Sequence, residues 1–185
     1  MKPLLNITLS PLEKSDREQF ITDNQRAFKY GAKEECEMRD DNFEEDDEII
    51  SRKTIEKSIG SENSETYRII FDKTKIGGVV IKLDKENKKG DLVLLFINPE
   101  NHSKGAGYAA WKAIEKMHPE IELWETVTPY FEKRNIHFYV NKCGFQIVEF
   151  YHKYHPDPNR QQDEDQKDKD HDDEMFRFQK VIKNN

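Results

Sequence analysis

Apolar residues alternate with polar ones in some stretches of the chain and recur every three or four positions in others, and the two periods predict different elements. Alternating or continuous apolar runs between turn residues predict strands. The predicted order is β-α-α-β-β-β-α-β-α-β-β, which places the chain in the α/β (α+β) class. The seven predicted strands are NITLSPL, TYRIIF, KIGGVVIKL, DLVLLFI, IELWETV, FQIVEFY and MFRFQKVI.

Four segments have the helical period. The first is predicted to begin at Ser15 or Asp16, which suit an N-cap, and to end near Tyr30, where Gly31 is a stop signal. The second ends near Gly60. The third has an apolar face made by Tyr108, Trp111, Ile114 and Met117 and ends before Pro119. The fourth is predicted over residues 129–141.

The connections predict how the strands pair. The segments DKT and DKENKKG are too short for a crossover, so the three central strands should form an antiparallel meander. The polar run over residues 155–174 predicts a charged, solvated loop. At 185 residues, one domain over residues 1–185 is expected.

Charge is unevenly distributed. The formal net charge is −7, but residues 34–48 hold ten acids against Arg39 alone, and residues 153–174 hold nine acids against four bases. The remainder is therefore net basic, and the acidic pI conceals a basic body with two acidic patches. Nucleic-acid binding is not predicted, because no Arg/aromatic stripe is present and the whole chain is negative.

Cysteine use and hydropathy exclude other classes. Cys36 and Cys143 have neither disulfide-framework nor metal-site spacing, so no bound metal is expected. The sequence has no secretory signal and no apolar run near the ~20 residues that span a bilayer. A cytoplasmic protein without membrane contact is expected.

The segment INPENHSKGAGYAAW, residues 97–111, carries the main candidate site. Gly105, Gly107 and Ala110 fit a dinucleotide motif, but Pro99 breaks the strand too early for it. A Walker loop is excluded because Lys104 precedes both glycines. A plain tight turn is the simplest alternative, whereas glycines before helix amides favour a polyphosphate ligand. The cations expected to assist are Lys104, Lys112, Lys116, Lys133, Arg134 and Lys142.

Two motifs about thirty residues apart resemble the Gcn5-related N-acetyltransferase (GNAT) family. In that family a strand and a Pro-containing loop lead to Arg/Gln-x-x-Gly-x-Gly/Ala, and the following helix cradles the pyrophosphate of acetyl-CoA. LLFINPENHSKGAGYAAW is similar to this element, with His102 where the family has Arg or Gln. RNIHFYVNKCGF is similar to a second family element, with one residue more than usual between Tyr139 and Gly144, so that Val140 occupies the commoner tyrosine position.

The resemblance implies a GNAT fold, namely a mixed, mostly antiparallel sheet of six to seven strands flanked by about four helices. It implies acetyl-CoA as the acyl donor and transfer to a primary amine by direct attack on the thioester. The implied cosubstrate-binding residues are Phe96, Ile97, His102, Ser103, Lys104, Gly105, Ala106, Gly107, Tyr108, Asn135 and Tyr139.

The family chemistry requires a neutral amine and a proton for the departing thiolate. Tyr139 is implied as the general acid, with Asn135 four residues earlier on the pantetheine. Glu125 is the candidate general base, and Asp91 and His137 are its rivals.

The family builds its acceptor site from the first two helices and the loop between them. Here that loop includes the acidic residues 34–48, which would attract a cationic acceptor. A non-catalytic protein that keeps the CoA cleft for sensing is the alternative function. Family members are often homodimers, and the sequence leaves the oligomeric state open.

Overall fold

The structure is a computed structural model, and it describes residues 5–36, 49–102, 104–130, 132–158 and 174–182. Its strands are β1 (Thr8–Pro11), β2 (Ser64–Phe71), β3 (Thr74–Asp84), β4 (Lys89–Ile97), β5 (Leu123–Pro129), β6 (Gln146–Tyr151) and β7 (Met175–Val181). Its helices are α1 (Arg17–Cys36), α2 (Arg52–Gly60), α3 (Ala106–Met117) and α4 (Lys133–His137), and α4 continues as a π-helical turn over Phe138–Cys143. The predicted order of elements is confirmed.

The described strands form one sheet in the order β1-β2-β3-β4-β5-β7-β6. Neighbouring strands are antiparallel except β4 and β5, which are parallel. The meander β2-β3-β4 is confirmed. Its first connection is a two-residue turn in which Asp72 and Lys73 both have positive φ, the conformation that matches the twist of a tight hairpin.

Helices cover both faces of the sheet. On the face of α3 and α4, Trp111 is fully buried with its ring 5.3 Å from Trp124 and 5.0 Å from Phe145. On the face of α1 and α2, Phe20 packs edge-on against Phe96 at 5.1 Å and joins a cluster with Ile55. We call these the α3 face and the α1 face. The core therefore fixes β4, which contributes side chains to both clusters.

A buried guanidinium ties α1 to the sheet. Arg68 of β2 is 2% exposed and donates to Asp16 and Asp23, each at 2.8 Å. Its guanidinium also lies 5.2 Å from the centre of the Phe20 ring. A buried charge is tolerated only when it is paired, and here two carboxylates pair it. The position of α1 on the sheet is thus fixed at its N-terminal end.

Three details of the helices differ from the prediction. Gly31 does not end α1, which continues to Cys36. Pro129 ends strand β5, and α4 starts only at Lys133. Tyr108 and Met117 are 36% and 40% exposed, so the buried face of α3 consists of small residues around Trp111 and Ile114.

Most of the predicted 155–174 loop, like residues 37–48 of the acidic segment, lies outside the described residues. In the part of the chain that is described, no helix is long and apolar enough to cross a membrane.

Candidate active site

The central feature of the sheet is a gap between its two parallel strands. β4 and β5 are paired only at Lys89↔Leu123, Gly90↔Trp124 and Asp91↔Glu125. Beyond that point β4 stays paired with β3 as far as Ile97, and β5 stays paired with β7 as far as Pro129. Each strand keeps its pairing with the neighbour on its outer side, while β4 and β5 separate from each other. A wedge-shaped gap therefore opens toward the carboxyl ends of both strands.

Main-chain groups of β4 line this gap. The Asn98 N–H donates to Ile76 O of β3 at 2.8 Å. Because pairing alternates along an antiparallel ladder, the polar groups of Phe96 then face β3, and those of Leu95 and Ile97 face the gap. This register favours Leu95 and Ile97 over the predicted Phe96 as main-chain contacts of a ligand. Ile97 stays a candidate, and Leu95 joins it.

Helix α3 begins at the open end of the gap. Its N-cap, Gly105, has φ +81°, a left-handed conformation that side chains disfavour. A Cβ at Gly105 would meet no described atom within 4 Å, so the space beside it is open. No side chain caps the helix at Gly105, and first-turn amides have no acceptor inside a helix. Gly105, Ala106, Gly107 and Tyr108 thus present amides to this space, as a phosphate requires.

The neighbours of this amide cluster differ in their roles. A Cβ on Gly107 would point at the Phe138 ring, 3.4 Å away, and at Ile97, so this glycine widens the passage between α3 and α4. The His102 Nε2 lies 2.6 Å from the Ile97 carbonyl oxygen, which folds the loop back onto β4. Lys104 donates to the Glu100 carbonyl oxygen at 3.0 Å. Ser103 lies outside the described residues.

Lys112 does not have the predicted role. Its ammonium pairs with Glu115, which also binds Lys180 of β7. The hydrogen bond to Glu115 raises the pKa of Lys112, although burial opposes it. The positive charge of Lys112 is therefore compensated locally instead of serving a phosphate at the start of α3.

The extra residue in the second motif is taken up by a change of helix type. After His137 the chain widens into the π-helical turn, and the turn ends at Gly144, which has φ +78°. A π-turn accommodates one residue more than an α-helical turn. As a result Tyr139 points into the core and is 8% exposed, whereas Val140 is only half-buried.

Tyr139 packs beside the point where the gap begins. Its ring lies 5.5 Å from that of Phe178, which pairs with Thr126, and the Thr126 Oγ1 donates to Leu92 O across the strands at 2.9 Å. Leu92 follows the last paired residue of β4, so this contact closes the narrow end of the gap. Burial raises the pKa of Tyr139, and the hydrogen bond from Thr126 acts in the opposite direction.

Asn135 lies nearer the open end. Its amide donates to Glu132 Oε2, which also accepts from the Thr128 hydroxyl at 3.1 Å. Thr128 is the last residue but one of strand β5, which borders the gap. Asn135 is therefore linked to β5 through Glu132, nearer the open end of the wedge than Tyr139.

The three candidate bases occupy different environments. Glu125 is on the α1 face, where its Oε1 accepts from Arg177 at 2.6 Å and from Gln179 at 2.5 Å. Asp91, its partner on β4, is exposed and has no hydrogen bond to any described residue, and partial desolvation together with the Glu125 charge raises its pKa. His137 is exposed and bonded to Asn141 on α4. The geometry favours Asp91.

Asn24 was not predicted from the sequence. It is fully buried on α1, and neither of its amide atoms has a hydrogen-bond partner in the part of the chain that is described. It lies one turn after Phe20, which packs on Phe96, and before Tyr30, whose ring is 5.3 Å from His102. α1 therefore carries Asn24 along β4 toward the loop before α3. A polar residue on an apolar helix face is the only sequence signal.

No group of three His, Cys, Asp or Glu side chains among the described residues could hold a metal ion. The donors and the open space instead suit an elongated ligand with a phosphate end. A split mixed sheet with a glycine-capped helix at the open end of the split is the architecture of CoA-dependent N-acyltransferases.

Comparisons with known proteins give the same class of protein. Residues 20–145 match the model of the acetyltransferase (GNAT) family, so the chain belongs to that family. It is 46% identical over 141 residues to the uncharacterized protein YrkN of Bacillus subtilis (strain 168), which covers 75% of this chain and 76% of that protein.

Two solved structures share the fold. The ribosomal-protein-S18-alanine N-acetyltransferase of Escherichia coli superposes with a TM-score of 0.65 at 14% identity, over 97% of this chain and 96% of that one. A spermidine N-acetyltransferase of Vibrio cholerae, solved in complex with CoA and spermine, gives 0.63 at 16% identity, over 95% of each chain. The predicted GNAT fold is confirmed, and family membership supports acyltransferase activity in general.

Proposed function

We propose that this protein is an acetyl-CoA-dependent N-acetyltransferase that acts on a cationic primary amine. The observation that carries the proposal is the wedge between β4 and β5, with the first-turn amides of α3 at its open end and Tyr139 packed beside its narrow end. A long donor with a diphosphate at one end and a thioester at the other fits that order of groups.

On the donor side, the amides of residues 105–108 bind the diphosphate, and the open space beside Gly105 admits it. The main chain of Leu95 and the N–H of Ile97 pair with the pantetheine arm as a further strand would, while the Ile97 carbonyl oxygen stays bonded to His102. Asn135 and Phe138 border the passage between α3 and α4. The thioester then lies near Leu92, where the strands meet.

In the reaction the amine nitrogen attacks the thioester carbon, a C–N bond forms and the C–S bond breaks. Asp91 accepts the proton that the amine loses, directly or through a water molecule. Its raised pKa brings it closer to the pH at which a base works well. Glu125 is committed to Arg177 and Gln179, so we assign it the role of holding negative charge beside Asp91. Tyr139 donates its proton to the departing thiolate, and solvent exchange restores both groups.

The acceptor approaches from the α1 face. Asp91, Glu125 and Glu149 lie on that face, with Arg177 pairing Glu125. Residues 34–48, which run from the end of α1 into the sequence before α2, hold ten acids against one base. Such charges favour a cationic substrate. The spermine in the Vibrio cholerae complex is a cationic amine of this class.

An amine panel tests the activity. Purified protein is incubated with acetyl-CoA and, in separate reactions, with spermidine, spermine, lysine-rich peptides and neutral amines, and free thiol is measured. We expect turnover with cationic amines and a fall in kcat of roughly a hundredfold or more in Tyr139→Phe, the usual size of a general-acid effect. CoA affinity by calorimetry should change little. Tight CoA binding without turnover of any amine would favour the CoA-sensing alternative instead.

Ionic strength tests the acceptor class separately. Between ~20 mM and ~500 mM salt, KM should rise for spermidine and stay nearly constant for a neutral amine, because screening weakens long-range attraction. Equal KM values across this range for the cationic amine would rule out the electrostatic argument while leaving the acetyltransferase activity intact.

A further inference from the structure

The imidazole of His102 closes the loop between β4 and α3. Its Nε2 lies 2.6 Å from Ile97 O, five residues earlier. A carbonyl oxygen can only accept a hydrogen bond, so Nε2 carries the hydrogen and donates it. Inside the loop, Asn101 N donates to Asn98 O at 2.8 Å, and His102 N donates to Pro99 O at 3.1 Å. The path from the strand to the N-terminus of α3 is therefore held by side-chain and main-chain bonds together.

This hydrogen bond lies on the edge of β4 that faces the gap. The Asn98 N–H is directed at β3, where it donates to Ile76 O at 2.8 Å, so the polar groups of Ile97 face the opposite way. The imidazole of His102 therefore lies beside an outward carbonyl oxygen, where the next strand of a sheet would pair. Its ring also contacts Tyr30 of α1 edge to face, with the ring centres 5.3 Å apart. Main-chain pairing of a ligand along this edge thus ends at the Ile97 N–H.

The end of this pairing coincides with the start of the phosphate site. A Cβ on Gly107, in the first turn of α3, would lie 3.9 Å from Ile97 Cγ1, so this turn packs beside the residue whose carbonyl oxygen His102 holds. The space beside Gly105, where the first-turn amides bind a phosphate, is open. A donor that uses both features must leave the strand edge near Ile97 and turn toward α3. The imidazole blocks the alternative path, which continues along β4.

We propose that His102 is a positioning residue of the donor site: its Nε2–H holds Ile97 O, ends the strand-like pairing of the pantetheine arm and directs the diphosphate to the amides of α3. The inference rests on the proposed function, since it needs CoA in the gap. It differs from the role that the family motif implies, in which residue 102 binds the cosubstrate itself, because here the imidazole acts through the main chain. The N–H donor is required, and a positive charge is not.

Three substitutions of His102 test the donor directly. His102→Gln keeps an uncharged N–H donor at a similar distance from the main chain, His102→Asn carries the same amide on a shorter side chain, and His102→Leu has no donor. The dissociation constants of CoA and of pantetheine, which is the same arm without the nucleotide diphosphate, are measured by calorimetry for each protein. His152→Leu, which removes an imidazole that stacks on Phe150 after β6, is the matched control.

The two ligands should respond differently. We expect His102→Leu and His102→Asn to raise the Kd for CoA roughly tenfold, the effect of losing one hydrogen bond and leaving its acceptor unpaired. His102→Gln should bind CoA nearly as tightly as the parent protein. The Kd for pantetheine should stay close to the parent value in all three, because its pairing with Leu95 and the Ile97 N–H does not need the turn toward α3. His152→Leu should change neither Kd.

Three results would overturn the positioning role. They are an unchanged Kd for CoA in His102→Leu, equal weakening of CoA and pantetheine, which would mean that the end of β4 has loosened, and equal loss of CoA affinity in His102→Gln and His102→Leu. Melting temperatures are recorded, and His102→Asn decides if His102→Leu does not fold. If the parent protein binds no CoA, the donor site of the proposed function fails first and this inference fails with it. If CoA binds but no amine is acetylated, the same comparisons still decide the role of His102.

Discussion

Gly105 combines a backbone requirement with the proposed phosphate site, and the two can be separated by mutation. Its φ of +81° costs an L-residue about 1–2 kcal/mol, although its Cβ would have open space. We therefore expect Gly105→Ala to lower the melting temperature by roughly 3–6 °C and to weaken CoA binding. Gly60→Ala, at the end of α2 with ordinary φ and open space, is the control and should neither lower the melting temperature nor weaken CoA binding. Unchanged CoA affinity in Gly105→Ala would place the phosphates elsewhere.

Asn24 is expected to destabilise the fold, because its buried amide has no hydrogen-bond partner in the described residues. Burying an unsatisfied amide costs about 1–3 kcal/mol, so Asn24→Leu should raise the melting temperature. If the amide binds the acceptor beside β4, the same variant should raise the acceptor KM while CoA affinity stays constant. Thermal unfolding, calorimetry and steady-state kinetics check the three quantities. A lower melting temperature would show instead that an ordered water satisfies the amide in the folded protein.

At the scale of an element, helix α1 continues past the glycine that was expected to end it. The sequence prediction ended the helix at Gly31, but the helix continues to Cys36, and a Cβ on Gly31 would meet nothing within 4 Å. Glycine inside a helix costs about 0.5–1 kcal/mol relative to alanine. Gly31→Ala should therefore raise the melting temperature by roughly 1–4 °C. If Gly31 were a left-handed cap, the same change would lower it.

Elements with a clear period were predictable, and their junctions were not. The meander followed from turn residues and alternating apolar positions, because each of its contacts is close in sequence. The end of α1 was missed because helix propensity is weak, and tertiary packing can continue a helix through a glycine. Pro129 was assigned to a helix start, which it also suits, whereas pairing with Met175 keeps it in strand β5.

The candidate site shows the same division. The glycines and Tyr139 were visible because a motif of fixed spacing carries them. The sequence showed an extra residue before Gly144 but not its consequence, which depends on the π-helical turn. Leu95 could not be distinguished from Phe96, since the direction of main-chain groups depends on register. The bond from Thr126 to Leu92 was missed because the two residues meet only in the folded sheet.

For the whole molecule, two carboxylates with opposite pKa shifts connect stability with activity. Burial would raise the pKa of Asp16, but hydrogen bonds from Arg68 and Lys75 outweigh it and lower that pKa. Its contribution to stability is therefore present above the unfolded pKa, near 3.8, and is lost as the pH falls through the lower folded value. Asp91 has the opposite shift, so the ionised form that the proposed reaction needs is the form that the fold disfavours.

Replacing Asp91 should therefore stabilise the protein and inactivate it. Because its folded pKa is raised, Asp91 supports the fold below the unfolded pKa, and this support is lost as the pH rises through the folded value. Asp91→Asn should unfold at a higher temperature than the parent protein at pH 7 and at a similar one near pH 3, while kcat falls. Asp16→Asn is the matched control and should be less stable at pH 7. Thermal scans across pH measure the difference, and an Asp91→Asn protein that keeps full activity would return the role of base to Glu125 or to water.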